Sequence, residues 1–149
     1  MPIKSFRGLI ADEGIDTITL HTNNGSMGYR IVKFEVISQS PVDITAESVL
    51  QIYKVPQTTT TPDIDFSDQT LLGVGVFTNN ATASQNPTTM ITIFDGEIFN
   101  QDIYITHKDK AGATPCNYYL ELEQVRLDLS ENTVATLKDI RNIESGKYV

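Results

Sequence analysis

The chain has 149 residues, close to the usual size of one domain, and 40% of them are hydrophobic, so it can bury a core and is not disordered as a whole. Its formal net charge of −8 opposes binding to the phosphates of nucleic acids. No run of 18 apolar residues occurs, and the first residues lack the apolar core of a signal peptide. We therefore expect one soluble domain, made in a cytoplasm, with neither nucleic acid nor membrane as a partner.

Apolar and polar residues alternate in most of the chain, which is the pattern of half-buried β-strands. In chain order the predicted strands are 17–21, 29–38, 49–54, 71–77, 89–94, 102–106 and 118–129. Turn-forming residues such as Pro41-Val42-Asp43 separate them. This pattern predicts an all-β fold of seven or eight strands, a single antiparallel β-sandwich or jelly roll over residues 1–149.

The alternation also predicts which side chains face the core. Lys33 and Glu35 are expected to point outward, and the expected inward positions are Ile18, Leu20, Val32, Phe34, Val36, Leu50, Ile52, Leu72, Val74, Val76, Ile103 and Ile105. In the last strand the apolar positions change parity, from Tyr118, Leu120 and Leu122 to Val125, Leu127 and Leu129. One strand with one buried face cannot do this. Either a bulge lies near Glu123-Gln124, or the strand passes onto a second apolar surface.

The C-terminal segment has a different period. Its apolar residues recur at helical spacing from 134 to 143, after a capping Ser130, which predicts a short helix, with a terminal strand or extended arm as the alternative. The resulting stripe must be covered, either by the chain's own sandwich or by a neighbouring subunit. We expect residues 1–14 and 130–149 to act as docking arms. The candidate docking residues are Val134, Leu137, Lys138, Ile140, Arg141 and Ile143.

Residues suited to catalysis are few. Cys116 is the only cysteine and follows Pro115 in an expected loop, and His21 and His107 end predicted strands, where we expect them to face solvent. A nucleophilic Cys–His pair would need Cys116 beside one of the histidines, and the spacing does not indicate this. Phosphate-binding, nucleophile-elbow and zinc motifs are absent from the sequence. We expect no enzyme, no cofactor and no metal.

Two further features could bind a ligand. Asp63, Asp65 and Asp68 offer clustered oxygen ligands of the kind that calcium prefers, in a Thr-rich loop over 56–68, although such loops are more often solvated turns. Tyr118 and Tyr119 could form a stacking surface for a sugar. Because neighbouring strand residues face opposite ways, one of the two tyrosines is expected in the core.

Four segments carry a resemblance to a known class of proteins: 29–36 (YRIVKFEV), 94–105 (FDGEIFNQDIYI), 117–129 (NYYLELEQVRLDL) and 131–144 (ENTVATLKDIRNIE). They resemble small jelly-roll structural proteins of tailed bacteriophages, especially phages of marine bacteria. No catalytic or ligand motif defines that group, so no residue role is carried over. The resemblance implies a virion protein that is assembled in the host cytoplasm and binds the major capsid protein or other virion proteins.

Within the virion, a capsid decoration or cement protein on the outer surface of the head is the favoured interpretation. A component of the neck, tail or fibre base is the alternative, and a carbohydrate-binding adhesion module is the alternative from another class. A glycan binder should expose Tyr or Phe on a concave face, whereas a coat protein should bury apolar residues against another chain. We also expect a symmetric homo-oligomer, with three subunits as the guess, because coat proteins sit on symmetry axes.

Overall fold

The computed structural model describes residues 2–20, 26–82, 86–94 and 96–127, which form eight antiparallel strands in two packed sheets. The strands are β1 (Ile3–Ile10), β2 (Ile15–Ile18), β3 (Met27–Ser38), β4 (Ala46–Tyr53), β5 (Leu71–Asn79), β6 (Thr88–Ile93), β7 (Ile103–Asp109) and β8 (Cys116–Arg126). The all-β sandwich predicted from the alternation is confirmed. The jelly-roll connectivity and the helix expected after residue 130 stay predictions, since the segment 128–149 lies outside these ranges.

One sheet has three strands in the order β1-β8-β3, and the other has five in the order β2-β7-β4-β5-β6. The edge strands are therefore β1 and β3 in the first sheet and β2 and β6 in the second. The segment 1–14, for which we expect a docking arm, contains β1, which pairs with β8 along its whole length, and its docking role stays a prediction. None of the described residues belongs to a helix long and apolar enough to cross a membrane.

The core lies between the two sheets and contains most of the side chains predicted to face it. Each large aliphatic side chain buried there contributes roughly 1.5–3 kcal/mol relative to exposure. The confirmed core positions are Ile18, Leu20, Phe34, Val36, Leu50, Ile52, Leu72, Ile103, Ile105, Tyr118, Leu120 and Leu122.

The predicted inward position of Val32 is wrong, because β3 contains a bulge. Ile31 pairs with Leu122 and Lys33 with Glu121, so Val32 is an extra residue between two successive pairs. A bulge of this kind resets the alternation by one residue. Ile31 is buried in the core as a result, and Val32 is 37% exposed.

The predicted inward positions of Val74 and Val76 are also wrong, because two glycines take the core side of β5. A Cβ added at Gly75 would lie 2.9 Å from both Phe34 and Val36, so β3 approaches the β5 backbone closely here. Val74 and Val76 belong to a second apolar cluster outside the main core. Because glycine has no side chain, an alternation of apolar residues does not show that a glycine faces the core.

In β8 the parity change occurs at the end of the strand. The only shift in its pairing with β3 comes from the extra Val32 on β3, and β8 itself has no extra residue from Cys116 to Arg126. The bulge considered near Glu123-Gln124 is therefore wrong. Leu127 follows the strand, is buried, and its backbone N–H donates to the Ser26 carbonyl at 2.8 Å. Its side chain lies beside Gly28, where a Cβ would come within 3.2 Å of it. The absence of a side chain at Gly28 thus leaves space for the side chain of Leu127.

The connection between β4 and β5 crosses the outer face of the five-stranded sheet. The buried Gln51 donates from its side-chain amide to the carbonyls of Thr61 and Asp63, at 3.2 and 2.9 Å. Tyr53 donates its hydroxyl to the Gln51 side-chain oxygen at 3.1 Å. The Thr-rich segment is therefore an exposed loop with a fixed anchor, and it covers a face that the sheet would otherwise present to solvent.

Candidate functional site

A buried polar cluster joins four parts of the fold. His107 on β7 is fully buried, and its Nδ1 lies 3.0 Å from the Ile10 carbonyl oxygen and 3.1 Å from that of Ala11. Because a carbonyl oxygen only accepts, Nδ1 carries a proton. On the other side of the ring, Nε2 lies 3.0 Å from the hydroxyl oxygen of Ser48 on β4. The expected solvent-facing position of His107 is wrong, and His21 lies outside the described residues.

Cys116 belongs to the same cluster. The cysteine is the first residue of β8 and is fully buried, so its expected place in a loop is wrong. Burial raises the pKa of its thiol to about 12, against the smaller opposing effect of a hydrogen bond with Ser48. The thiol therefore stays protonated at neutral pH, and a protonated thiol is a poor nucleophile.

The structure thus brings Cys116 and His107 to the same serine hydroxyl, which the sequence did not indicate. All three side chains are inaccessible to solvent. A substrate would have no path to them in this conformation. The arrangement satisfies buried polar groups and connects β4, β7, β8 and the β1–β2 turn, which is a structural role.

Asp109 closes the same end of the sandwich. Its buried carboxylate accepts hydrogen bonds from the backbone N–H groups of Glu47, Ala111 and Thr114, at 3.0 to 3.1 Å. Its own N–H donates to the Asp12 carboxylate at 2.7 Å. These bonds join β4, the β7–β8 turn and the β1–β2 turn at this end of the molecule.

The carboxylates of the Thr-rich loop act locally. Asp65 accepts hydrogen bonds from the backbone and hydroxyl of Ser67, which lower the pKa of its carboxyl below the ordinary value. Asp68 accepts the same pair of bonds from Thr70. Within the described ranges, no three His, Cys, Asp or Glu residues are grouped so as to hold a metal ion. The two carboxylates therefore form turn-stabilising bonds.

The outer face of the three-stranded sheet carries an open groove of about 570 Å³. Two rows of side chains cross it. In the first row Arg7 on β1, Tyr119 on β8 and Glu35 on β3 lie side by side. In the second row, two residues along each strand, the corresponding residues are Leu9, Asn117 and Ile37. We call these six residues the outer-face groove.

The second row has an exposed apolar residue at each end. Leu9 is 47% exposed and Ile37 is 52% exposed, on either side of the exposed Asn117. Single exposed apolar residues are ordinary, but two that line one open groove are typical of an interaction surface. The sequence analysis did not find this pair, because Leu9 lay in a segment not assigned to a strand. The available signal was the alternation of residues 3–10, where Ile3, Ser5, Arg7 and Leu9 share one face.

The two adjacent tyrosines divide as expected. Tyr118 packs in the core with its hydroxyl 3.2 Å from an Asp16 carboxylate oxygen. Tyr119 lies in the outer-face groove, where its hydroxyl donates to Glu121, and this bond raises the pKa of Tyr119. The ammonium of Lys33 lies 5.8 Å from the centre of the Tyr119 ring. One face of the ring is therefore already in contact with a cation.

The candidate docking residues Val134, Leu137, Lys138, Ile140, Arg141 and Ile143 lie outside the described residues, so that docking role stays a prediction. Of the basic residues near the N-terminus, Lys4 and Arg7 fall on opposite faces of β1, so the two cannot form one patch. Neither a protein-family model nor a curated protein sequence matches this chain.

Proposed function

We propose that the protein is a non-enzymatic structural component of a phage virion, a decoration or cement protein that binds the outer surface of the head. The observation that supports docking most directly is the exposed Leu9 and Ile37 pair in the outer-face groove. Exposed apolar residues beside charged ones are a usual composition of a protein interface. The virion as the setting rests on the resemblance of the four quoted segments to phage structural proteins.

The partner in this proposal is the shell protein of the head. Its matching surface presents apolar side chains to Leu9 and Ile37 and an acidic group to Arg7. Arg7 is exposed and lies in a row with Glu35, whose carboxylate is 3.6 Å from the ammonium of Lys33. Charges at the rim of an interface fix orientation and partner choice more than affinity.

A role in catalysis has less support. Cys116 and His107 are the two residues best suited to nucleophilic chemistry. Both are fully buried, and each forms a hydrogen bond with Ser48. In a reactive pair the thiol must be accessible to substrate and must be deprotonated. Burial of Cys116 opposes both its accessibility and its deprotonation.

Carbohydrate binding is the second candidate, because Tyr119 places an aromatic ring beside Arg7, Glu35 and Asn117 in an open groove. Sugars bind to such combinations of stacking and polar groups. Two contacts weigh against it: Lys33 lies over the ring, and Glu121 accepts the bond from the hydroxyl. Tyr119→Ala separates the candidates. It should abolish glycan binding on an array, whereas shell binding should weaken by less than it does in Leu9→Asp.

The main experiment adds the purified protein to phage heads assembled without it and measures bound copies by cosedimentation. Leu9→Asp and Ile37→Asp should each weaken binding at least tenfold with an unchanged melting temperature, because both side chains are half exposed. Ile64→Asp, at a 41% exposed position in the loop over the five-stranded sheet, is the matched control and should bind normally. Normal binding of both groove variants would place docking elsewhere.

The number of copies per particle tests the position in the virion. A decoration protein repeats with the shell lattice and is present in many copies, whereas a neck, tail or fibre-base protein is present in few. Quantitative mass spectrometry of purified particles gives this number. A low count would favour the neck, tail or fibre base over the head.

A further inference from the structure

The edge strand β6 has no charged residue and little cover. All of its residues from Thr88 to Thr92 are exposed, and Ile93 is half-buried. The run from Asn86 to Phe94 carries no charge, in a chain whose net charge is −8. Met90 is 58% exposed and Ile91 is 37% exposed. An uncharged edge strand with exposed apolar side chains is a ready template for pairing with another strand.

The other three sheet edges are protected in the ways that natural proteins use. β2 has only four residues and contains Asp16, and β1 carries Lys4 and Arg7. β3 has the bulge at Val32 and carries the charged residues Arg30, Lys33 and Glu35. Charges, bulges and short length all prevent edge-to-edge pairing. β6 has none of these features, so of the four edges it is the one built to accept a strand.

The hydrogen bonds of β6 show which backbone groups face outward. Phe94 donates its N–H to the Leu72 carbonyl at 3.0 Å, and β5 and β6 pair in register from Thr78–Thr88 to Gly73–Ile93. Bonded and non-bonded pairs alternate along an antiparallel ladder. The residues of the same parity as Phe94 therefore bond to β5. The N–H and C=O groups of Thr89, Ile91 and Ile93 point to the free edge.

We propose that a second copy of this chain pairs with β6, strand to strand and antiparallel, about a two-fold axis at Ile91. Ile91 then lies opposite Ile91 of the second copy, and Thr89 opposite Ile93. All three outward-facing residues find partners, and two five-stranded sheets join into one sheet of ten strands. The pairing is self-complementary, as a two-fold interface requires.

The occupant is a second copy because the edge is neutral. Two chains of charge −8 repel one another, and β6 lets them meet along a run where no charge faces a like charge. A basic or acidic peptide would find no complementary charge there. The pairing covers Met90 and Ile91, and it gives a dimer where the sequence suggested a trimer. It is independent of any role in a virion.

Sedimentation velocity of the full-length protein, from low to high micromolar concentration, tests the proposal. We expect a shift from monomer to dimer, and more dimer at higher salt because salt screens the net repulsion. Met90→Lys should weaken association at least tenfold, since a lysine on an edge strand blocks pairing. Ile3→Lys, at a similarly exposed position on β1 of the other sheet, should leave association unchanged.

A second variant addresses the backbone directly. Thr89→Pro removes an outward-facing N–H and leaves the bonds to β5 intact, so the monomer should fold normally and fail to pair. A wild type that stays monomeric over the whole range would overturn the proposal. So would a dimer that Met90→Lys and Thr89→Pro both leave unchanged.

Disulfide trapping tests the register. In the proposed pairing Met90 lies opposite Thr92 of the second copy at a non-bonded pair, where Cα atoms are about 4.5 Å apart. The double variant Met90→Cys, Thr92→Cys should form a covalent dimer under a mild oxidant. The control Thr89→Cys, Thr92→Cys places the thiols on opposite faces and should not. Equal cross-linking of the two would overturn the register, and the buried Cys116 provides no competing thiol.

Discussion

His107 and Ser48 form the central contact of the buried polar cluster, with 3.0 Å between Nε2 and the hydroxyl oxygen. The same ring is held from the other side by the carbonyls of Ile10 and Ala11. One imidazole therefore connects β4, β7 and the turn that takes the chain from one sheet to the other. Removing either partner leaves a buried polar atom without its hydrogen bond.

Ser48→Ala should lower the free energy of unfolding by about 1–3 kcal/mol, because His107 Nε2 then stays buried without a partner. Urea denaturation measures this change. Ser67→Ala is the control: Ser67 is exposed and bonds only within its own turn, so the loss should be about 0.5 kcal/mol or less. Equal losses in the two variants would contradict a structural role for the cluster.

Gly75→Ala should destabilise the protein by about 1–3 kcal/mol, because the new methyl group would lie 2.9 Å from Phe34 and Val36. Gly73→Ala is a matched control on the same strand and face. There the nearest atom to a Cβ is 3.4 Å away, an ordinary contact, so we expect little loss or a small gain. Thermal melting of the two variants tests whether the sheets approach most closely at Gly75.

Ile31→Asp should prevent folding, whereas Val32→Asp should have a mild effect, because the bulge places only Ile31 in the core. Alternation continued from Phe34 and Val36 without a bulge would instead place Val32 in the core and would predict the more severe effect for Val32→Asp. Circular dichroism and melting of the two purified variants distinguish the registers. Phe34→Asp should unfold the domain under either register and serves as the positive control.

Stability should fall at alkaline pH. The pKa of the Cys116 thiol rises from the ordinary 9.0 to about 12 on folding, and those of Tyr53 and Tyr118 rise from 10.0 to about 12, chiefly through burial. Above these ordinary values the unfolded chain releases protons that the folded chain retains. The stabilisation is thus fully present below pH 9 and is lost as the pH approaches 12.

Urea denaturation between pH 8 and pH 11 checks this slope. Cys116→Ala should flatten it from pH 9 upward, whereas Tyr53→Phe should flatten it only above pH 10. In the native protein at pH 8, a maleimide reagent should leave Cys116 unmodified until urea unfolds the chain. Rapid modification without urea would show that the thiol is accessible.

The sequence predicted seven of the eight described strands, all but β1, because most of them bury one face, and alternation then marks the buried side directly. It failed where a residue interrupts or hides the pattern. The bulge at Val32 shifts the parity of β3 in mid-strand, and Gly73 and Gly75 occupy core positions with no side chain to mark them. The bulge and the core-facing glycines both depend on how the two sheets pack together. The apolar pattern of a single strand carries no information about that packing.

The candidate site was harder to predict than the fold. The outer-face groove takes residues from β1, β8 and β3, which are far apart in the sequence and become neighbours only through strand pairing. The cluster of His107, Ser48 and Cys116 has the same origin. Division of the tyrosine pair was predictable, because it depends only on the local geometry of β8.

The anchoring of the Thr-rich loop by Gln51 has a practical consequence for engineering. The bonds to Thr61 and Asp63 hold one side of the loop, and the buried Val55 holds the other, so residues 56–60 project between two fixed points. Extra residues inserted there would enlarge a loop whose closure entropy grows only slowly with length. This position is suited to carrying a foreign peptide or an affinity tag on the surface, on the sheet opposite the outer-face groove.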